Sequence, residues 1–189
     1  MGDRAIEIGA VRIQDGNITD SFQELMNPGC RVNSFIEDYT GISNEMLADA
    51  PPCADVMHRF ADFIEDSNLI AHNASFDRRF LDAELRFISR QYAGEFSCSL
   101  LIARRIYQDA PNHKLGTLIN YKNIPSEGAF HRALYDAEMT AKLWMSMLDD
   151  ISERFDIPSI PFSLIQKITK TPKKSVGKLL ENWGATEVS

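Results

Sequence analysis

The sequence predicts an α/β fold: a β-hairpin followed by helices that alternate with short strands. Three observations carry that prediction. The first thirty residues hold two strand-like runs separated by an Asp-Gly turn, at Asp15 and Gly16. Further on, apolar residues recur at helical spacing in three long segments. Between those segments lie brief apolar runs too short for helices, such as Asn68 to His72. A hairpin followed by that alternation is the pattern of a layered α/β or α+β domain.

The elements follow in order. Arg4 to Ile13 alternates in part, with Ile6, Ile8 and Ala10 on one side, and pairs with the run from Ile18 to Asn27. Residues 33–50 suit short helices around Thr40-Gly41-Ile42-Ser43. Val56, Phe60, Phe63 and Ile64 share a helical face, after Pro51 and Pro52. Asn68 to His72 reads as a short buried strand. The helix after it has Phe76, Phe80, Leu81, Leu85 and Ile88 as its inner face and Asn73 as N-cap. Phe96 to Tyr107 starts extended and turns helical. A short helix follows His113 and ends before Pro125. His131 to Asp150 forms a long helix with Ala133, Ala137, Ala141, Trp144 and Leu148 on one stripe.

The division is 1–150 for the main domain and 151–189 for a linker and a basic helical tail. Ile157 to Pro161 is the break. Beyond it, Thr171 and Pro172 suit an N-cap and first helical position. Val176, Leu179, Leu180 and Trp183 then fall at i, i+3, i+4 and i+7, one apolar side of a helical hairpin. Between Ser163 and Leu180 stand five lysines (167, 170, 173, 174, 178) and no acid.

Composition excludes several classes. The net charge of −7 argues against coating nucleic acid by bulk electrostatics. The charge is uneven: residues 1–150 carry −9 and residues 151–189 carry +2. No apolar run reaches the length of a membrane span, so no membrane partner is expected. The N-terminus shows neither an apolar core nor a cleavage pattern of a secretory signal. Cys30, Cys53 and Cys98 lie far apart without a C-x-x-C pair, which predicts reduced thiols, a cytoplasmic location and no zinc site.

Two clusters carry candidate chemistry. In Asn68 to Leu81, an apolar strand ends in His72-Asn73 and a single Asp77 follows between Phe76 and Arg78. The second cluster, His131 to Glu138, pairs His131 with Asp136. Five residues on a helix turn through roughly 500°, so both reach one site only if His131 precedes the helix. Carboxylates without clustered histidine or cysteine suit hard cations such as Mg²⁺ or Mn²⁺. Two such ions about 4 Å apart can clamp a phosphodiester. A histidine with a pKa near 6.5 can take a proton from the attacking water. One acid plus a His–Asp pair leaves such a site incomplete.

These two stretches, in this order and spacing, resemble the second and third motifs of the DEDDh 3′→5′ exonucleases, the group of the DNA polymerase III epsilon proofreading subunit. Ile6 to Ile13 resembles the second strand of that fold. The resemblance covers about residues 4 to 148. It implies an RNase H-like fold, a mixed sheet flanked by helices, and stepwise removal of 3′-terminal nucleotides with two divalent ions. By it, Asp77 and Asp136 are metal ligands and His131 is the general base. His72, Asn73 and Phe76 flank the terminal nucleotide, and Gly41 and Ile42 pack on its base. Expected partners are single-stranded or frayed DNA 3′ ends, RNA as a second substrate class, and a DNA polymerase subunit. The family opens with a strand bearing Asp-x-Glu. None precedes Ile6 here, and Asp3 and Glu7 have the wrong spacing, so the resemblance implies a missing first strand: the sequence is expected to be a fragment of a longer protein, the alternative being a truncation that has lost catalysis, and as it stands the domain is expected to be impaired or purely binding.

Overall fold

A computed structural model describes residues 4–126 and 132–187. It contains four strands and nine α-helices among those residues. They are β1 (Glu7–Gln14), β2 (Asn17–Leu25), α1 (Ser34–Thr40), α2 (Asn44–Asp49), α3 (Cys53–Ile64), β3 (Leu69–Ala71) and α4 (Ala74–Phe87). Then come β4 (Phe96–Cys98), α5 (Ser99–Ile106), α6 (Leu115–Tyr121), α7 (Ala133–Phe155), α8 (Phe162–Lys170), a 3₁₀ turn (Lys173–Ser175) and α9 (Val176–Glu187). None of the described helices is long and apolar enough to cross a membrane. The three cysteines are free thiols.

The chain divides into two interleaved compact units. The first comprises residues 1–67, 76–94 and 127–138. Its hairpin turns through Asp15 and Gly16, with φ of 49° and 72°. Two successive positive φ values match the twist of the paired strands. The register shifts between Arg12 and Ile13, where Thr19 is the extra residue of a bulge in β2. On this ribbon, Phe22 meets Phe60 edge-on at 5.4 Å and Phe63 at 5.5 Å, which seats α3. Met26, Leu47, Val56 and Met57 complete this core, each 2 % exposed or less. Asn44 ties the segments together: its side chain accepts from the Val32 N–H at 2.9 Å and donates to the Val32 carbonyl at 3.1 Å.

α4 carries an acid on its buried side. Glu84 is 5 % exposed and is held by the Arg4 guanidinium, with contacts of 2.8 and 3.0 Å. Two parallel bonds match the fork of the arginine to the carboxylate. The expected inner face of this helix is corrected at one position. Leu85 is 1 % exposed, but Phe76 is 55 % exposed. The Phe76 ring instead leans on Phe80, with centroids 4.9 Å apart, and the Arg79 guanidinium lies over both rings. Asn73 is not in cap geometry either. Its φ of 71° is left-handed, whereas N-caps are extended; asparagine tolerates that region better than most residues.

The second unit comprises residues 68–75, 95–126 and 139–189. Here β3 and β4 pair in parallel, Leu69 with Phe96 through Ala71 with Cys98. Parallel strands need a crossover, and α4 supplies it in the sequence. The expected mixed sheet is therefore realised as an antiparallel pair and a parallel pair, each two-stranded. Ile102, Leu118, Leu143, Met147 and Ile151 form the core of this unit together with Leu164, Ile168 and Leu180 of the tail. The tail is bonded to the rest of the unit: Gln166 donates to the Phe96 carbonyl at 3.1 Å. Thr171 closes α8 and Pro172 precedes the 3₁₀ turn, one position later than the sequence suggests.

Candidate active site

Asp77 and Asp136 occupy equivalent places. Each is in the first turn of its helix, α4 and α7 respectively. A helix N-terminus favours negative charge, so each carboxylate is locally welcome. Together they are not. Burial of its carboxyl pushes the Asp77 pKa up, although the residue as a whole is exposed, and the negative charge of Asp136 pushes it the same way. A carboxyl whose ionisation is made costly by burial and by a neighbouring acid is the arrangement that a cation relieves.

What positions Asp136 is the start of β1. The Glu7 carboxylate accepts from the Ala133 backbone N–H at 3.0 Å and pairs with the Arg132 guanidinium at 2.9 Å. Gln23 adds a bond at 3.0 Å. Burial alone would raise the Glu7 carboxyl; the bonds from Arg132, Ala133 and Gln23 outweigh it and hold the pKa below its ordinary value. Gly9, two residues on, permits the close approach. A Cβ there would fall 2.3 Å from the Leu134 nitrogen and 2.5 Å from the Ala133 carbonyl carbon. Arg132, four positions before Asp136, is thus engaged by Glu7.

The other sequence-derived candidates separate in their surroundings. His131 lies outside the described residues. Gly41 closes α1 in the left-handed conformation, φ 70°, donating to the Glu37 carbonyl at 2.8 Å. Ile42 beside it is core, 1 % exposed. The exposed aromatics of that region are Phe35 and Tyr39, stacked at 5.9 Å.

His72 belongs to the second unit. Its Nε2 faces the His113 carbonyl at 2.9 Å, and since a carbonyl only accepts, that nitrogen carries the proton. Nδ1 then accepts from the Ser99 hydroxyl at 3.0 Å. Burial lowers the His72 pKa, so this histidine is held neutral at the end of β3.

Sequence reasoning missed Glu7, Gly9 and Arg79. A charged residue inside the apolar run Ile6 to Val11 was the available signal for Glu7, and the glycine two positions later was the signal for close backbone approach.

The donor chemistry fits a hard divalent ion. Mg²⁺ takes one or two carboxylates and completes its shell with water and substrate phosphate, which is what Asp77 and Asp136 offer. Among the described residues no group of three His, Cys, Asp or Glu side chains is gathered for a metal.

The fold is mixed α/β, with helices around small sheets and an acid in the first turn of both α4 and α7. The chain belongs to the exonuclease family: the family model RNase_T, described as Exonuclease, matches residues 1–144. It is 35% identical over 153 residues to the PolC-type DNA polymerase III of Caldanaerobacter subterraneus subsp. tengcongensis, covering 81% of this chain and 11% of that protein. To the PolC-type enzyme of Bacillus subtilis it is 37% identical over 154 residues, covering 80% and 11%. The chain therefore spans about a ninth of the length of these relatives. Among solved structures, Exonuclease X in complex with 5′ overhanging duplex DNA superposes with a TM-score of 0.69 at 27% identity, covering 87% of this chain and 90% of that one. The nuclease domain of 3′hExo, a DEDDh family member, shares the fold with a TM-score of 0.63 at 18% identity, covering 77% and 80%. The fold is thus that of the DEDDh, RNase H-like exonucleases, as the motifs implied.

Proposed function

We propose that this domain removes nucleotides from DNA 3′ ends by metal-dependent hydrolysis. The observation that carries the reading is the pair of acids at two helix starts, Asp77 and Asp136, where burial and then the charge of Asp136 raise the Asp77 pKa. Asp77 and Asp136 hold Mg²⁺ or Mn²⁺, two ions in the complete site. The metal supplies electrostatic stabilisation of the phosphodiester oxygens. His131 accepts the proton of the attacking water. Phe76, exposed and beside Asp77, packs on the terminal nucleotide. His72 fixes the end of β3, and Ile42 seats the Gly41 turn from within the core. Residues 1–150 form the exonuclease part in this reading and 151–189 its appended tail. The similarity to PolC-type DNA polymerase III supports a DNA polymerase as the partner class.

The gathering of only two carboxylates among the described residues favours a second reading, a module that holds a 3′ end or a polymerase partner without cleaving. One experiment separates the two. A 5′-labelled single-stranded DNA is incubated with the chain in Mg²⁺, in Mn²⁺ and in EDTA, beside Asp136→Asn and His131→Ala. A ladder shortening from the 3′ end, lost in EDTA and in both variants, is the expected result. Binding without any shortening overturns hydrolysis in favour of the second reading. Cleavage unaffected by EDTA overturns the metal assignment, and full activity of His131→Ala overturns the base.

A further inference from the structure

The tail presents a surface that the hydrolytic reading does not use. All five lysines between Ser163 and Leu180 (Lys167, Lys170, Lys173, Lys174 and Lys178) are exposed, and that stretch contains no acid, on a chain of net charge −7. The lysines come from three consecutive segments: α8, the 3₁₀ turn and α9. On the opposite sides of the two helices, Leu164, Ile165 and Ile168 pack inward with Val176 and Leu180, each 2 % exposed or less. The apolar packing of the two helices therefore lies on the side away from the lysines.

The turn between the helices is fixed rather than free. Arg105 of α5 donates through Nε to the Thr171 carbonyl at 2.9 Å, and Gln108 donates to the Lys173 carbonyl at 3.4 Å. Lys167 lies over the Trp183 ring with its Nζ 4.5 Å from the centroid, a contact that holds α8 and α9 together. Two short helices around a fixed turn, with the start of the second one exposed and basic, is the arrangement in which helical motifs meet duplex nucleic acid.

The chemistry of the surface selects its partner. Protein interfaces concentrate aromatic and aliphatic anchors and are poor in lysine. Among the described residues, no large apolar side chain beyond Leu101 is exposed, so this face offers no such anchor. Single strands are held by stacking on exposed aromatic rings, which it also lacks. Phosphate contacts need only cations, hydroxyls and amides. Those predominate on it: five lysines with Ser175 and Asn182, all exposed, against one exposed acid, Glu181, among the described side chains of α9.

We propose that the α8–turn–α9 surface binds the phosphate backbone of double-stranded nucleic acid without reading sequence. The proposal stands apart from the acid pair and is tested without hydrolysis. Binding of the full chain to a blunt DNA duplex, to a single strand and to poly-glutamate is measured in EDTA across a salt series. The triple variant Lys173→Gln, Lys174→Gln, Lys178→Gln is compared with the parent and with the triple Lys→Arg variant at the same positions. The expected result is a duplex affinity at least tenfold lower in the Gln variant, with single-strand affinity within twofold and the Arg variant retaining parent affinity. The slope of log affinity against log salt should shrink by about 0.9 per contacting lysine. Unchanged duplex affinity and slope overturn the proposal. So does a loss confined to single strands, or one confined to poly-glutamate, the latter pointing to an acidic protein partner instead.

Discussion

The Glu7 carboxylate and the Ala133 backbone N–H meet at 3.0 Å, joining the first described strand to the helix that carries Asp136. The bond satisfies one of the amides that a helix start leaves without an internal partner. Glu7→Ala removes it and leaves Arg132 without its acid. The expected cost is about 1–3 kcal/mol, read by urea unfolding. The pH dependence has a definite sign. A carboxyl whose folded pKa is lowered contributes stability above its unfolded pKa and loses it as pH falls through the folded value. The parent should therefore lose its advantage over Glu7→Ala on acidification below about pH 4. A difference that persists unchanged at pH 3 would show that packing, not charge, is what Glu7 supplies.

Gly9→Ala should be severe for a residue that lies in a strand. Its Cβ would meet the Leu134 nitrogen at 2.3 Å, and backbone has no rotamer with which to yield. The variant should lose about 3 kcal/mol or more, and nuclease activity should fall with it, since the displaced atoms belong to the turn that holds Asp136. A Gly9→Ala protein of normal melting temperature would contradict the close packing of β1 on α7.

Asp77→Asn should separate stability from function. A carboxyl with a raised folded pKa destabilises the folded protein once it ionises, so the metal-free variant should be more stable than the parent at pH 7. The gain should vanish below about pH 4, where both forms are neutral. Activity should fall at least about 100-fold, beyond the loss typical of residues that merely support a metal ligand. Melting curves in EDTA at pH 7 and pH 4 read the first effect. Equal melting at pH 7 would argue that burial and the charge of Asp136 do not raise the Asp77 pKa in the folded protein.

His72 gives the opposite end of the titration range. Its folded pKa is lowered by burial, so the unfolded chain binds the extra proton first. Its contribution is therefore complete above the unfolded value of about 6.5 and is lost as pH falls below it. Urea unfolding at pH 7.5 and pH 5.5 should show a drop in the parent that is smaller in His72→Asn. The same drop in both would place the titrating group elsewhere.

Local pattern made much of the fold legible. The Asp15-Gly16 turn, the helix after Pro51-Pro52 and the strand-to-helix change at Cys98–Ser99 are written in neighbouring residues. The errors came from partners far away in sequence. Phe76 fits the inner face of α4 by spacing, yet that face is shared by Glu84, whose partner Arg4 is eighty positions earlier. No periodicity reveals a buried acid before its arginine is placed. Glu7 was set aside because it could not be the first of two ligands; its work at the start of α7 depends on a contact spanning 125 positions. In the candidate site, Asp77 and Asp136 stood out by their place in the two motifs, whereas the burial of Asp77 and the effect of Asp136 on it required three dimensions.

The contact of Lys167 with Trp183 gives the tail a built-in optical signal. The chain has two tryptophans. Trp144 is 4 % exposed within α7 and should emit as a shielded, blue-shifted indole that responds little to added ligand. Trp183 carries an ammonium over its ring at 4.5 Å, so its emission depends on where Lys167 is drawn. A polyanion that pulls Lys167 away alters one fluorophore and spares the other, and engagement of the tail becomes visible without any label.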